Sequence, residues 1–518
     1  MLHLQHPVNA CNSVGCGKRG GKYPVNPLYP ALERLPFSGF QSSLIADRRG
    51  SAIRPAVETL QKANRSCGRA RMATPKCSGP RAHRIFTMKP FGFRSLPAFI
   101  LVVAAVLFAA SSWAEWRFLP ALELEESYDS NIYLRSDNET SDFITRLSPE
   151  LRLEEVSATR TFAASYTMNL YRFNNHDEND YIGHGAELSW DQRLSRNLSW
   201  HIMNTYYMSE EPLEEDPEIT GVRPTRNRYS RNTVDTGFTY QFGQEDRVTV
   251  SYLDSRLRNE DPEIEDDVEY GPSLELEYWF THSHGFLLGY SWNRIDYEEE
   301  EPSNQYDEID FRYQWRQSPH TTLHLDYGYV LFSSKAPAEE GDDYNVQSIA
   351  AGFDHDFGPS YSLSGFLGCF FFNPKESGSD KGSVYGLDLV RSFSRGSVTL
   401  SGEGGYRLDY SGAEAEGFTE YRGVSLSTTY SMSPRTELYA STSYMYEKSE
   451  EGERMRYESW DISAGASYEI LSWLTGVIEL TQRERSSSGG NGGYISGSYD
   501  EYRDSLILLR LRGTYEWR

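Results

Sequence analysis

The stretch that decides the fold is Glu308-Ile309-Asp310-Phe311-Arg312-Tyr313-Gln314-Trp315-Arg316-Gln317-Ser318-Pro319-His320-Thr321-Thr322-Leu323-His324-Leu325-Asp326-Tyr327-Gly328-Tyr329-Val330-Leu331. Ile309, Phe311, Tyr313 and Trp315 fall on one parity, and Glu308, Asp310, Arg312, Gln314 and Arg316 on the other. After the polar turn Gln317-Ser318-Pro319-His320 the alternation resumes. Leu323, Leu325, Tyr327, Tyr329 and Leu331 now oppose His324, Asp326 and Gly328. Successive strand side chains point to opposite faces, so this is a two-faced β-hairpin, apolar on one side and charged on the other. A soluble sandwich gives the same alternation. Its repetition along the chain points instead to a membrane barrel.

The same parity recurs on both sides of this hairpin. Phe162/Ala164/Tyr166/Met168/Leu170, Val234/Thr236/Phe238/Tyr240/Phe242, Phe286/Leu288/Tyr290/Trp292 and Trp460/Ile462/Ala464/Ala466/Tyr468 alternate with small or polar residues. Short turns recur at 156–159, 194–197, 243–246, 282–285, 317–320, 358–360, 394–396, 433–435 and, with the weakest turn chemistry, 470–472. Longer, mostly acidic loops fall near 135–141, 174–180, 209–230, 259–266, 298–304, 334–343, 374–381, 411–416, 449–454 and 486–500. Nine turns and ten loops separate twenty strands, with 18 or 22 as the neighbouring counts. Short turns at one rim and long loops at the other predict a large antiparallel transmembrane β-barrel over residues 115–518. Closure removes the exposed edges of so long a sheet.

Composition agrees. The chain has 518 residues and a formal net charge of −24. Its mean hydropathy of −0.61 excludes a bundle of spanning helices but not a barrel, whose strands show only half their residues to lipid. The 36 tyrosines supply the aromatics that barrel girdles need. An acidic chain cannot neutralise phosphates, which excludes nucleic acid as a partner. Four of the five cysteines precede residue 115, so Cys369 has no disulfide partner in the body.

Residues 1–87 are basic, rich in Gly, Pro and Arg, and lack periodicity; they read as a disordered leader or a start-site artefact. Cys11, Cys16, Cys67 and Cys77 lack zinc-site spacing. Residues 88–114 read as a secretory signal peptide. Lys89 and Arg94 precede an apolar core from Leu96 to Ala110, and Ser112-Trp113-Ala114 places cleavage before Glu115.

The first mature strands carry more specific words: Trp116-Arg117-Phe118, Tyr128-Asp129-Ser130-Asn131-Ile132-Tyr133, Ser141-Asp142-Phe143-Ile144-Thr145 and Leu147-Ser148-Pro149. These resemble the outer-membrane β-barrel proteins associated with PEP-CTERM and exopolysaccharide systems, within the wider β-barrel porin group. The resemblance covers about the first forty mature residues. It implies the outer membrane of a Gram-negative bacterium and a role beside exopolysaccharide export. It brings no catalytic residues. Expected partners are outer-membrane lipid and lipopolysaccharide, the outer-membrane assembly machinery, and exopolysaccharide export components. The terminal Tyr515-Glu516-Trp517-Arg518 resembles an assembly signal, except that Arg518 and not an aromatic is last. In the motif, Tyr128 reads as a girdle aromatic, with Asp129, Asn131 and Ile132 shaping the first loop.

The parity assigned to the lumen is acidic: Glu187, Asp191, Asp235, Glu275, Glu277, Glu308, Asp310, Asp326, Asp354, Asp388, Glu403, Asp409, Asp461 and Glu479. Fewer bases oppose it, chiefly Arg146, Arg312, Arg316, Arg407, Arg510 and Arg512. Charged rings bias a pore toward counter-ions, which predicts cation preference. Most Tyr and Trp fall on the lipid parity, which argues against an aromatic slide for sugars. The acidic loops read as solvated and self-repelling, with weak divalent binding as the other reading. His282, His284, His320 and His324 cluster near turns, but no Ser-His-acid arrangement is legible, and Gly489-Gly490-Asn491-Gly492-Gly493 is no nucleotide cradle. The sequence therefore predicts a non-enzymatic barrel without cofactor or metal. A porin-like conduit and a structural or adhesive barrel with a blocked lumen both stand, and an outer-membrane hydrolase is the weaker third reading.

Overall fold

In the computed structural model the described residues are 115–516, excluding 214–221, 263, 299–302, 336–342, 376–377, 413–416, 450–455 and 489–500. The leader and signal peptide lie outside them, as do Trp517 and Arg518. Twenty strands follow one another in chain order, each antiparallel to the next, from β1 (Glu115–Asp129) to β20 (Tyr502–Thr514). The wall closes where β1 pairs with β20, from Ala121↔Thr514 to Asp129↔Leu506. The opening hairpin is β10 (Asn304–Ser318) and β11 (Thr321–Ser334), with Phe311 opposite Tyr327 and Arg312 opposite Asp326. Nine short turns lie at the end of the barrel that holds both termini of the described chain. The ninth is Ser472-Trp473, starting one residue on from the predicted centre at Leu471, because a register shift at Glu469/Leu471 carries β18 (Arg456–Leu471) one step further.

Strands of 12–17 residues exceed the about 9–11 that a tilted bilayer crossing needs, so the wall projects past the membrane. One face of every strand is apolar and open to the surroundings. Leu124, Ile309, Leu325, Leu367, Ile462 and Leu509 are exposed large hydrophobics on it. Aromatics collect near the turn end, where Trp116, Phe162, Trp190 and Trp200 form a chain of ring contacts 5.3–6.2 Å apart. His284 belongs to this girdle. It stacks on Trp315 and bonds the Tyr313 hydroxyl through Nδ1 at 2.7 Å.

Prolines interrupt the ladder locally. Pro149 and Pro272 have no N–H to donate, and pairing lapses beside them between Leu147↔Leu170 and Glu150↔Thr167, and between Tyr270↔Arg294 and Ser273↔Ser291. Gly271 is obligatory for space, because a Cβ there would sit 1.8 Å from the Trp292 carbonyl oxygen.

A larger irregularity begins at β15 (Gly396–Asp409). Its ladder with β14 (Asp380–Phe393) stops at Tyr385↔Gly404, whereas its ladder with β16 (Gly417–Ser433) runs on to Asp409↔Gly417. Beyond Gly404-Gly405 β15 leaves β14 and the end of the hairpin folds inward, while β16 stays paired with β17 (Thr436–Ser449) as far as Thr419↔Ser449. Tyr406, Leu408 and Phe418, on the outward parity of their own strands, are consequently buried.

Candidate functional site: the lumen and its mouth

Cross-strand partners share a face. Following the registers round the barrel from Glu308↔Ser291, Asp310↔Gly289, Arg312↔Asp326 and Asp354↔Ser364 places every residue assigned to the lumen on one continuous face. That face is internal. Arg231 of β6 (Tyr229–Gln241) and Asp267 of β8 (Asp267–Trp279) both meet Ser411, which follows β15 and lies seven to nine strands away round the wall. Only a path across the lumen joins them.

The inner wall divides into two kinds. In the first, carboxylates are matched. At the seam of β1, β2 (Asp142–Val156) and β20, Arg146 holds Glu123 at 2.9 Å and Glu125 at 2.7 Å. Arg510 returns to Glu125 at 2.8 Å, and Arg512 reaches Glu123 at 3.3 Å and Glu150 at 2.5 Å. Elsewhere Arg247 pairs with Glu277 at 3.0 Å and Glu275 at 3.6 Å, and His201 with Asp235 at 2.8 Å. Arg483 lies 3.5 Å from Asp461. Arg407 pairs with Asp409 at 2.7 Å and with Glu447. Arg316 pairs with Glu245 and lies 3.5 Å over the Trp279 ring.

In the second, over β10 to β14 and the part of β15 that pairs with β14 (to Gly404), Asp326 alone is fully countered, by Arg312 Nε at 2.6 Å and His324 Nδ1 at 2.7 Å. Among the described residues no ion pair reaches Glu308, Asp310, Asp354, Asp388 or Glu403. Hydroxyls serve instead: Ser401 donates to Asp388 at 2.5 Å and Ser291 to Glu308 at 3.3 Å. The sequence count of lumen carboxylates thus overstates the free negative charge, because cross-strand arginines neutralise much of it away from β10–β15. Among the described residues outside that wall, Glu187, Asp191 and Glu479 have no ion pair, and Glu479 accepts from the Tyr439 hydroxyl at 2.6 Å.

The loop-end mouth holds features that parity could not place. The inturned β15–β16 hairpin builds an aromatic core against the inner faces of β11, β12 (Tyr344–Asp356) and β13 (Tyr361–Pro374). Tyr410 stacks on Phe332 at 4.5 Å, Phe418 on Phe372 at 4.0 Å, and Tyr406 lies 5.0 Å from Phe370. Its tip is fastened opposite. The Tyr297 hydroxyl donates to the Tyr410 carbonyl at 2.6 Å, and the Ser411 hydroxyl to Asp267 at 2.7 Å. Phe332, Tyr344, Phe370 and Phe372 lie on the inward parity of their own strands, and bending the hairpin inward brings Tyr406, Tyr410 and Phe418, on the outward parity of theirs, to meet them.

The Tyr128–Tyr133 motif spans the end of β1 and the start of the first loop. Tyr128 packs on Phe143 at 5.1 Å on the outer face. The Asn131 amide donates to Asp129 Oδ1 at 2.7 Å, an Asx turn. The Asn131 side chain donates to the Arg135 and Arg503 carbonyls at 2.8 and 3.0 Å and accepts from the Arg135 amide at 3.1 Å. It thereby ties the first loop to β20. Ile132 is the centre of a buried cluster with Ile144, Phe173 and Tyr181.

The loop acids are not all self-repelling. Glu210 pairs with Arg228 at 3.0 Å, Glu211 with Arg226 at 2.5 Å, and Asp266 and Glu298 with Arg258. Burial raises the Glu210 carboxyl above its usual range despite Arg228. Glu214–Asp216, Glu263, Glu299–Glu301, Glu339-Glu340, Asp342, Glu450-Glu451 and the 489–493 glycines lie outside the described residues. Among the described residues no group of three or more His, Cys, Asp or Glu is placed to hold a metal ion.

No protein-family model matches the chain, and no curated protein matches it by sequence. Among solved structures it is similar to the ferric citrate transporter FecA in its unliganded form (10% identity, 78% of this chain and 79% of that one, TM-score 0.48). It is also similar to the FrpB iron transporter from Neisseria meningitidis, F5-1 variant (8%, 80% and 84%, 0.47), and to OccAB2 from Acinetobacter baumannii (8%, 78% and 98%, 0.38). At these values the likeness carries no functional argument. The fold itself, read from this chain's own pairing, is that of a closed transmembrane β-barrel of twenty antiparallel strands.

Proposed function

We propose that the chain is a non-enzymatic outer-membrane channel of a Gram-negative bacterium, a porin-like conduit for small hydrophilic solutes, with its loop end facing the cell exterior. The observation that carries this reading is the inner wall of β10–β15. Of its five carboxylates without an ion pair, Glu308 is buried against Ser291, but Asp354 and Glu403 are exposed on the inner face. Exposed inward charges of this kind require water, which supports a wet lumen beside β12 and β15. The excess negative charge there favours cations. The resemblance of the first strands adds a role beside exopolysaccharide export, and the same field disfavours a strongly anionic polymer over a neutral or amino-sugar one.

A second reading, a structural or adhesive barrel without an open pore, draws on the inturned β15–β16 hairpin. The two separate in one experiment. Cysteines at Ser411 and Asp267, whose side chains touch, lock the tip when oxidised. In planar bilayers the conduit reading expects conductance from the reduced protein and a lower one from the oxidised protein. Folded protein that conducts in neither state supports the structural reading.

A further inference from the structure

A cavity of about 300 Å³ opens at the loop end between the β1–β2–β20 seam and the loop that follows β5 (Leu198–Ser209). It lies far round the wall from the aromatic hairpin, and the channel reading assigns it nothing. Its lining separates charge. Asp129 and Asp504 stand side by side, within hydrogen-bonding reach of each other. Asp504 is buried and accepts from the Ser130 hydroxyl at 3.3 Å. Arg483 stands beside them, 3.8 Å from Asp504 and 3.5 Å from Asp461, longer than close charge-assisted bonds. Ile132, Leu134 and Leu213 give an apolar side.

The other charged groups in the lining are already spoken for. Arg146 serves Glu123 and Glu125, and Glu211 is held by Arg226 at 2.5 Å and the Tyr181 hydroxyl at 3.0 Å. Asp129 Oδ1 takes the Asn131 amide and Asp504 Oδ1 the Ser130 hydroxyl, which leaves the second oxygen of each aspartate, with Arg483, as the groups a ligand can engage. A simple anion would meet the aspartate pair, and a simple cation would leave Arg483 in its loose contacts. A molecule carrying both charges a few bonds apart satisfies all three. The frame is stiff, because the Asn131 bonds fix the loop that supplies Asp129, Ile132 and Leu134, and a rigid site loses less on binding.

We propose that this cavity binds a small zwitterion, a free α-amino acid with an aliphatic side chain. Its ammonium group sits on the Asp129–Asp504 pair, its carboxylate on Arg483, and its side chain against Leu134 and Leu213. The site stands whether or not the lumen conducts.

The test is calorimetric titration of the full-length folded barrel in detergent with L-leucine, 3-methylbutylamine and 4-methylpentanoate. Leucine is expected to bind, and each single-charge analogue to bind at least about ten-fold more weakly, the loss of one charge-assisted contact. Asp504→Asn and Arg483→Gln, and Asp129→Asn should Asp504→Asn misassemble, are each expected to weaken leucine about ten-fold or more, with heat-modifiable mobility reporting intact folding. No leucine binding to folded protein, amine or acid binding as tight as leucine, or full leucine affinity in the folded variants would each overturn the proposal.

Discussion

The seam of β20, β1 and β2 and the wall of β10–β15 follow the same alternation, yet they use their inner faces differently. At the seam every inward carboxylate of the central rungs meets an arginine, and one pair, Arg510–Glu125, joins residues 385 apart in sequence. Opposite, five carboxylates face the lumen with hydroxyls or no partner. β20 must find β1 from the other end of the barrel chain, and paired charges give that encounter register and direction. Each far-wall strand pairs with its chain neighbours across a single turn or loop and needs no such help, so its charges are left to act on the lumen. One pattern of alternating residues thus yields a wall that closes the barrel and a wall that sets its field.

The sharpest way to break the comparison lies on the outer face, which both walls share. Leu325→Arg places a charge against lipid and is expected to cost about 2–4 kcal/mol at mid-bilayer, whereas His324→Arg, one residue away and inside, is expected to cost far less. The folded fraction, read by heat-modifiable mobility after urea titration, reports both. Equal losses would remove the assignment of faces.

Next in size is the seam. Arg146→Ala leaves Glu123 and Glu125 with Arg510 and Arg512 only, and should destabilise the barrel by about 2–3 kcal/mol, toward the low end for breaking a buried pair because water reaches the site. Asp354→Asn on the far wall removes a charge without a partner and should shift stability by no more than about 0.5 kcal/mol. Urea midpoints compare them. A larger loss from Asp354→Asn would mean that the far wall is also structural.

These contrasts were partly legible in the sequence. Strand count, turns, loops and facing could be read, because barrel strands keep a strict two-residue period and the turns carry Ser, Pro, Gly and Asn. What could not be read was which charges meet. Glu125 looks the same as Glu308 along the chain, and only closure brings Arg510 beside it. The inturned hairpin was also hidden. Tyr406, Leu408 and Tyr410 continue a clean outward parity, and parity states which side of its own strand a residue takes, not whether the strand stays in the wall. The available sign was the crowding of Gly402, Gly404 and Gly405, where the β14 ladder ends and the Tyr385 ring occupies the space that a Cβ on Gly404 would need.

Smaller again is the expected effect of the far-wall charges on permeation. Replacing Asp354, Asp388 and Glu403 with their amides should reduce cation preference severalfold, and this effect should shrink at high salt as the Debye length falls to about 3 Å at 1 M. Replacing both Glu150 and Arg512 at the seam with glutamine, which removes one charge of each sign, should leave ion preference nearly unchanged.

The most direct measurement is the reversal potential of the folded, purified barrel in a planar bilayer across a ten-fold salt gradient. A wet lumen with an acidic far wall gives conductance with a potential of the sign set by cations, and it moves toward zero as salt is raised. A potential of the opposite sign, or membranes that hold folded protein and carry no current, would contradict a cation-preferring conduit.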